Sequence, residues 1–305
     1  MSILSLMEKM LVFVVLIAVG YISVRKGSLS TSFIKDASKL AINVFMSATI
    51  VVSCISIDSS VSNAEVINAL WVISLMMVLC FAIGAAASLI TPLDKALKPV
   101  YELLISTPNA MFIALPVLQQ LYGAQAVFYC ALSSLPLDIL FYTYGVMRLN
   151  NGGGVNLKDF ISAPLIASII GVALFFMKIE LPNVAENILN ILSGATMPMS
   201  MIVVGGSLGS ASVAKAFADK RLYLMSFVRL IINPVVVFLV CRLLNADAIL
   251  TAASVIIAAS PSAVSVSVVT IQYGRDGVFA SEGVLVSTML SMLTIPMVIW
   301  VMNML

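Results

Sequence analysis

Long apolar stretches separated by short polar segments run along the whole chain. A membrane-spanning helix needs about 20 consecutive, mostly apolar residues. By that rule the pattern predicts ten such helices, numbered here as spans one to ten, at residues 6–24, 40–57, 66–90, 103–122, 126–147, 160–177, 187–208, 222–243, 246–273 and 279–303. Spans four and nine are the least uniform, because prolines interrupt them. The pattern therefore predicts an all-α polytopic membrane protein.

The composition agrees with this class. Hydrophobic residues make up 61% of the 305 positions, charged residues make up 10%, and the mean hydropathy is +1.13. Soluble domains carry about 25% charged residues, so a water-soluble fold would have too much apolar surface to bury. The net charge of +2 indicates no basic surface for nucleic acid.

Residue types that carry enzyme chemistry are scarce. The chain has no histidine, no Walker loop, no zinc motif and no pair of carboxylates within one span. We therefore expect no enzyme activity, no metal site and no cofactor. The Gly205-Gly206 pair, near Gly209, favours close helix packing rather than phosphate binding. The cysteines form no Cys-x-x-Cys pair and favour small buried residues: Cys54, Cys80, Cys130 and Cys241.

The distribution of basic residues orients the spans. Cytoplasmic loops of membrane proteins carry an excess of lysine and arginine. Twelve of the 16 basic residues lie in loops that follow odd-numbered spans: Arg25, Lys26, Lys35, Lys39, Lys95, Lys98, Arg148, Lys158, Lys215, Lys220, Arg221 and Arg275. These loops are predicted to be cytoplasmic, so both termini should lie on the non-cytoplasmic side of the cell (inner) membrane.

The two halves of the chain resemble each other at an offset near 151 residues. Tyr122-Gly123 matches Tyr273-Gly274, and the segment 107–110 matches 260–263 if the offset shifts by two. We therefore predict a five-helix repeat at 1–150 and a second at 151–305. Because five is odd, the second repeat should enter the membrane inverted, which is typical of secondary transporters with a site near the midplane.

The prolines in spans four and nine mark the candidate substrate site. Proline removes a backbone donor and breaks or kinks a helix, and two opposed half-helix N-termini would favour an anion. A structural kink softened by serine and threonine is the alternative. The equivalent placement in both halves favours a site formed by six residues: Thr107, Pro108, Asn109, Ser260, Pro261 and Ser262.

Two charged residues lie inside predicted spans. Asp138 lies in span five and Arg229 in span eight. Charges within a membrane are costly and are usually paired or functional. The sequence therefore predicts an ion pair between Asp138 and Arg229, with a structural role and a role in ion coupling left open.

Span four also resembles a known family. The stretch Asn109-Ala110-Met111-Phe112-Ile113-Ala114-Leu115-Pro116, followed by Tyr122-Gly123, is similar to the Asn-x-x-Phe-x-x-x-Pro span of the auxin efflux carrier family. Further similarities run along nearly the whole chain. In plant members the break reads Asn-Pro-Asn, so only Asn109 carries over. The short centre of this chain favours a compact, bacterial-type member.

The resemblance implies a fold and a function. It implies two inverted five-helix repeats with crossed, proline-broken helices four and nine, in which spans 1, 2, 6 and 7 form a scaffold and spans 3, 4, 5, 8, 9 and 10 form a transport domain. It also implies transport of a small organic anion, auxin-like or malate- or malonate-like, by alternating access. A sodium-coupled symporter of the bile-acid transporter type and a channel are the alternatives. Expected partners are the anion, membrane lipid, a coupling proton or sodium ion, and a second copy as a homodimer.

Overall fold

The computed structural model describes residues 3–56, 62–150, 163–179, 181–210 and 216–304. The predicted junction between the two halves follows Asn150 and lies outside the described residues. If each π-turn is counted with the helix that it continues, and the turn at Ala195 is counted within one helix, the described chain forms twelve helical segments and no β-strand: α1 (Ile3–Arg25), α2 (Thr31–Ile55), α3 (Asn63–Ile90), α4 (Lys98–Ser106), α5 (Ala110–Tyr122), α6 (Ala124–Leu149), α7 (Ala163–Met177), α8 (Asn183–Gly209), α9 (Lys220–Leu243), α10 (Ala248–Ala259), α11 (Val264–Gln272) and α12 (Gly277–Met304).

Six of these helices are long and apolar enough to cross a membrane: α2, α3, α6, α8, α9 and α12. Shorter apolar helices include α5, α7 and α10. The pair α4 and α5 covers predicted span four, and the pair α10 and α11 covers predicted span nine. The prediction of an all-helical protein with several membrane spans is therefore confirmed.

Polar residues at the ends of the helices explain where several of them begin. The Asp247 carboxylate accepts from the backbone N–H groups of Ile249 and Leu250 at the start of α10. Asp219 caps α9 in the same way and also binds the Arg221 side chain at 2.6 Å. Such caps satisfy N–H groups that have no partner within the helix. The Arg221 hydrogen bond holds the pKa of the Asp219 carboxyl below its usual value.

One compact unit comprises Met1–Leu70, Met111–Leu135 and Ile161–Ala211. Within it α1 packs on α8 at backbone contact. A Cβ atom on Gly20 would lie 2.1 Å from the Ile202 carbonyl oxygen, and one on Gly205 would lie 1.9 Å from that of Ile17. Real Cβ atoms do not approach so closely, so only glycine fits. The interpretation of the Gly205 region as a helix-packing motif is confirmed.

The second compact unit comprises Trp71–Ala110, Pro136–Phe160 and Ser212–Leu305. It contains α4, most of α3, and α9 to α12. Its centre is α10, which is buried at every position from Leu250 to Ala259. The first unit contains the helices of the predicted scaffold, α1, α2, α7 and α8. It also contains α5 without its first residue, and the first part of α6.

The four cysteines are all buried and free of disulfides. Cys54 lies against Gly171, where an added Cβ atom would come within 2.5 Å of its sulfur. The sequence interpretation of the cysteines as small buried residues is confirmed.

Candidate functional site

Two short extended segments meet in the second unit, one after α4 and one after α10. Pro108 and Ser262 form an antiparallel backbone bridge. The N–H of Asn109 donates to the carbonyl of Pro261 at 2.8 Å, and the N–H of Ala263 donates to the carbonyl of Thr107 at 3.0 Å. The bridge therefore ties together the points at which the two helices are broken.

The prolines explain why both helices end here. A residue before proline is pushed out of the helical region into extended backbone. Thr107, before Pro108, has φ −96° and ψ 107°, and Ser260, before Pro261, has φ −68° and ψ 149°. The freed backbone groups then bond across the bridge instead of along a helix. Both proline breaks predicted from the sequence are present.

The bridge brings together residues that the sequence repeat also relates. Pro108 pairs with Ser262, which directly follows Pro261, the counterpart of Pro108 in the predicted repeat. The two corresponding prolines therefore lie at neighbouring positions of the bridge.

Arg229 lies at the ends of both broken helices. It belongs to a π-turn, Val228–Ile232, within α9 and is fully buried. Its guanidinium donates to the carbonyl of Ile105 at 2.9 Å, near the end of α4. It also donates to the carbonyls of Ser260 at 2.9 Å and Ile257 at 3.4 Å, at the end of α10. The C-terminus of a helix carries partial negative charge, so one cation stabilises two helix ends.

The ion pair predicted between Asp138 and Arg229 is not among those that the described residues form. These are Lys39 with Asp36, Arg148 with Glu102, and Arg221 with Asp219. Arg229 binds backbone carbonyls instead, because two helix ends converge on it. Asn233, one turn later on α9, adds a side-chain hydrogen bond to the Ile105 carbonyl at 2.9 Å.

The serines of the break use their hydroxyl protons within the protein. Ser260 donates to the Ile256 carbonyl at 2.9 Å, and Ser262 donates to the Leu104 carbonyl at 2.6 Å. Ser262 also donates its backbone N–H to the Ser287 hydroxyl at 3.1 Å. These two serines therefore stabilise the break and have no hydroxyl proton left to donate to a ligand.

Thr107 differs from the two serines. Thr107 and its neighbour Asn109 are both buried, with 2% and 5% of their surface exposed. Within the described part of the chain, the Thr107 hydroxyl has no hydrogen-bond partner, and a buried polar group without a partner is costly. At the start of α11, Ala263 offers no side-chain cap to the first N–H groups. The break thus offers the Thr107 hydroxyl and the first N–H groups of α11, with the Asn109 amide beside them.

Comparison with known proteins shows which family the chain belongs to. Residues 5–154 and 147–299 match the family described as membrane transport protein. The chain belongs to this family. The resemblance to the auxin efflux carriers seen in span four is thereby confirmed.

Two archaeal relatives of this membrane transport protein align along nearly their whole length. An uncharacterized transporter of Methanocaldococcus jannaschii is 26% identical over 309 residues, covering 97% of this chain and 98% of the archaeal protein. An uncharacterized transporter of Methanothermobacter thermautotrophicus is 25% identical over 303 residues, covering 95% and 96%. The alignment of both halves indicates that the chain is related to them as a whole.

This member of the family contains a buried carboxylate that the sequence interpretation missed. Glu102 on α4 is fully buried. One carboxylate oxygen accepts from the Tyr144 hydroxyl, and the other accepts from Arg148 at 3.1 Å and 2.8 Å. The predicted span four begins at residue 103, which leaves Glu102 just outside it. Within the described ranges, no three acidic or cysteine side chains lie close enough together to ligate a metal.

Proposed function

We propose that this chain is a secondary active transporter that moves a small organic anion across the cell membrane by alternating access. The anion is a mono- or dicarboxylate, auxin-like or malate- or malonate-like. The single observation that carries the proposal is the buried bridge between the segments at Pro108 and Ser262. Two helices broken beside each other are the usual framework of a transporter site.

The charges at the break favour an anion rather than a cation. Arg229 already compensates the negative ends of α4 and α10 through backbone carbonyls. The N-termini of α5 and α11, which begin on the far side of the bridge, carry partial positive charge. A carboxylate needs hydrogen-bond donors when it leaves water. We assign that role to the Asn109 amide, the Thr107 hydroxyl and the first N–H groups of α11.

The proposal includes the inverted repeat of ten spans. Its support is the order of elements in the two halves, since the shift that places Pro108 on Pro261 also places α4 on α10 and α5 on α11. A transporter built in this way exposes its site alternately to the two sides when the repeats exchange conformations.

Substitution of Asn109 tests the site. The loss of a hydrogen bond to a charged group costs about 1.5–3 kcal/mol, so Asn109→Ala should weaken substrate binding roughly ten- to hundredfold. The measurement is binding to purified protein and uptake into proteoliposomes of malate, malonate and indole acetate. Asn43→Ala is the matched control, because Asn43 is an exposed asparagine of α2. Unchanged affinity in purified Asn109→Ala protein would place the substrate elsewhere.

The same proteoliposomes distinguish the rival mechanisms. Uptake that responds to an imposed sodium gradient identifies a sodium-coupled symporter, and uptake that responds only to a proton gradient identifies proton coupling. A carrier closes on each substrate in turn, so its flux saturates with substrate concentration. Flux that rises linearly without saturation would identify a channel and exclude alternating access.

The predicted orientation has its own test. Ser28, between α1 and α2, and Asn183, at the start of α8, are both exposed and fall on opposite sides in the predicted orientation. In a background in which the four buried cysteines are replaced, an impermeant thiol reagent added outside intact cells should label Asn183→Cys and leave Ser28→Cys unlabelled. The reverse pattern would place both termini in the cytoplasm.

A further inference from the structure

A cavity of about 570 Å³ opens in the second unit near the start of α4. Cations and apolar groups share its wall, since the lining includes Lys95, Lys98, Arg148, Leu89, Met147 and Tyr144. The volume lies within the range of ordinary small-molecule sites. The transport site proposed above uses none of these residues.

The cavity is cationic. Three of its lining side chains are basic and none is acidic. The nearby carboxylate of Glu102 is fully buried and binds Arg148, so it neutralises one of the three charges. The N-terminus of α4, at Lys98 and Pro99, also lies at the wall and adds partial positive charge. The cavity therefore favours an anion.

Glu102 also holds Arg148 in place for such an anion. Arg148 donates to Glu102 through its Nε atom and one terminal nitrogen. A guanidinium has a second terminal nitrogen with two further donors, which this carboxylate does not use. The Arg148 side chain is 39% exposed whereas that of Glu102 is fully buried, so the remaining donors can meet a ligand in the cavity.

The apolar residues at the cavity indicate what kind of anion it is. Leu89 is 70% exposed and Met147 is 48% exposed, and Ile90, next to Leu89 at the end of α3, is 84% exposed. Apolar side chains exposed beside lysines suit the boundary of a bilayer, where acyl chains meet headgroups. A freely soluble anion would gain nothing from them.

We propose that this cavity binds the phosphate headgroup of an anionic phospholipid. Lys95, Lys98 and Arg148 contact the phosphodiester, and the acyl chains extend along Leu89, Ile90 and Met147. The orientation proposed above places Lys95 and Arg148 on the cytoplasmic side, where anionic lipids attract basic groups. The binding of lipid requires no particular transported substrate, so either proposal can fail without the other.

The affinity of the purified protein for phosphatidylglycerol, measured by native mass spectrometry and by the rise in Tm with lipid concentration, tests the proposal. Each lysine near an anionic headgroup is worth about fivefold in affinity. Lys95→Ala and Lys98→Ala should each weaken phosphatidylglycerol binding about fivefold, and the double variant about 25-fold. Lys39→Ala, an exposed lysine of α2 outside the cavity, is the matched control.

Two further ligands distinguish an anionic lipid from a neutral lipid and from a soluble phosphate ester. Phosphatidylcholine, which has no net charge, should raise the Tm equally in the wild type and all variants, which also verifies that the variants fold. Soluble glycerol 1-phosphate should compete only at concentrations far above those of the lipid. Three results would overturn the proposal: equal wild-type affinity for the two lipids, equal losses in Lys39→Ala and Lys95→Ala, or glycerol phosphate binding as tightly as the lipid.

Discussion

Arg229→Met should lower the free energy of unfolding by about 2–4 kcal/mol, a fall in Tm of roughly 5–10 °C. Methionine has nearly the length of arginine but no donor, so the Ser260 carbonyl loses its guanidinium hydrogen bond. Hydrogen bonds to a charged group contribute about 1.5–3 kcal/mol each. Removal of a buried charge regains part of its desolvation cost, which keeps the total below the sum of three such bonds.

The other two carbonyls are affected less. The Ile105 carbonyl keeps its bond from Asn233, and the Ile257 carbonyl keeps one from the N–H of Ser260. The main loss is therefore electrostatic, since the negative ends of α4 and α10 would converge without a cation between them. Arg229→Lys keeps the charge but has fewer donors, so its stability should fall between those of the wild type and Arg229→Met.

Arg242→Met is the matched control for Arg229→Met. Arg242 is an exposed arginine near the end of the same helix, and an exposed charge in the last turn contributes about 1 kcal/mol or less. The measurement is thermal unfolding of purified protein in one detergent. If Arg229→Met unfolds at the same temperature as Arg242→Met, the broken helices do not depend on this guanidinium.

The helix breaks could be predicted from the sequence because their cause is local. Pro108 and Pro261 each act on the residue before them, and no other part of the chain is needed to end α4 or α10. The partners of Arg229 could not be predicted in this way. A sequence suggests pairing with an opposite charge such as Asp138, but Arg229 binds carbonyls whose positions depend on the packing of three helices.

Glu102 was missed for a related reason. Hydropathy places the start of a span where apolar residues begin, and Glu102 lies just before that point. In the structure α4 is buried from Pro99 onwards, because the helices around it cover its polar end. The burial of Glu102 and its bonds to Tyr144 and Arg148 depend on contacts 42 and 46 residues away in the sequence. No local pattern reports such contacts.

A single methyl group added where α1 packs on α8 should cause a large loss of stability. A Cβ atom on Gly205 would lie 1.9 Å from the carbonyl oxygen, 2.8 Å from the carbonyl carbon and 3.0 Å from the Cα atom of Ile17. All three atoms belong to the backbone of α1, so no side chain can turn away to make room. Overpacking of a core costs about 1–3 kcal/mol even where side chains can adjust.

Gly205→Ala should therefore destabilise the protein by about 3 kcal/mol or more, measured as thermal or denaturant unfolding of the purified protein. Gly194→Ala, in the same helix but with nothing within 4 Å of the added Cβ atom, is the matched control and should be neutral or stabilising by up to about 1 kcal/mol.

Gly209→Ala should also destabilise, since its Cβ atom would lie 2.9 Å from the Tyr21 carbonyl oxygen. Once Gly205→Ala has moved α1 away, that second contact is already relieved, so the double variant should lose less than the sum of the two. Strict additivity, or a Gly205→Ala protein as stable as Gly194→Ala, would mean that the two helices are not held at backbone contact.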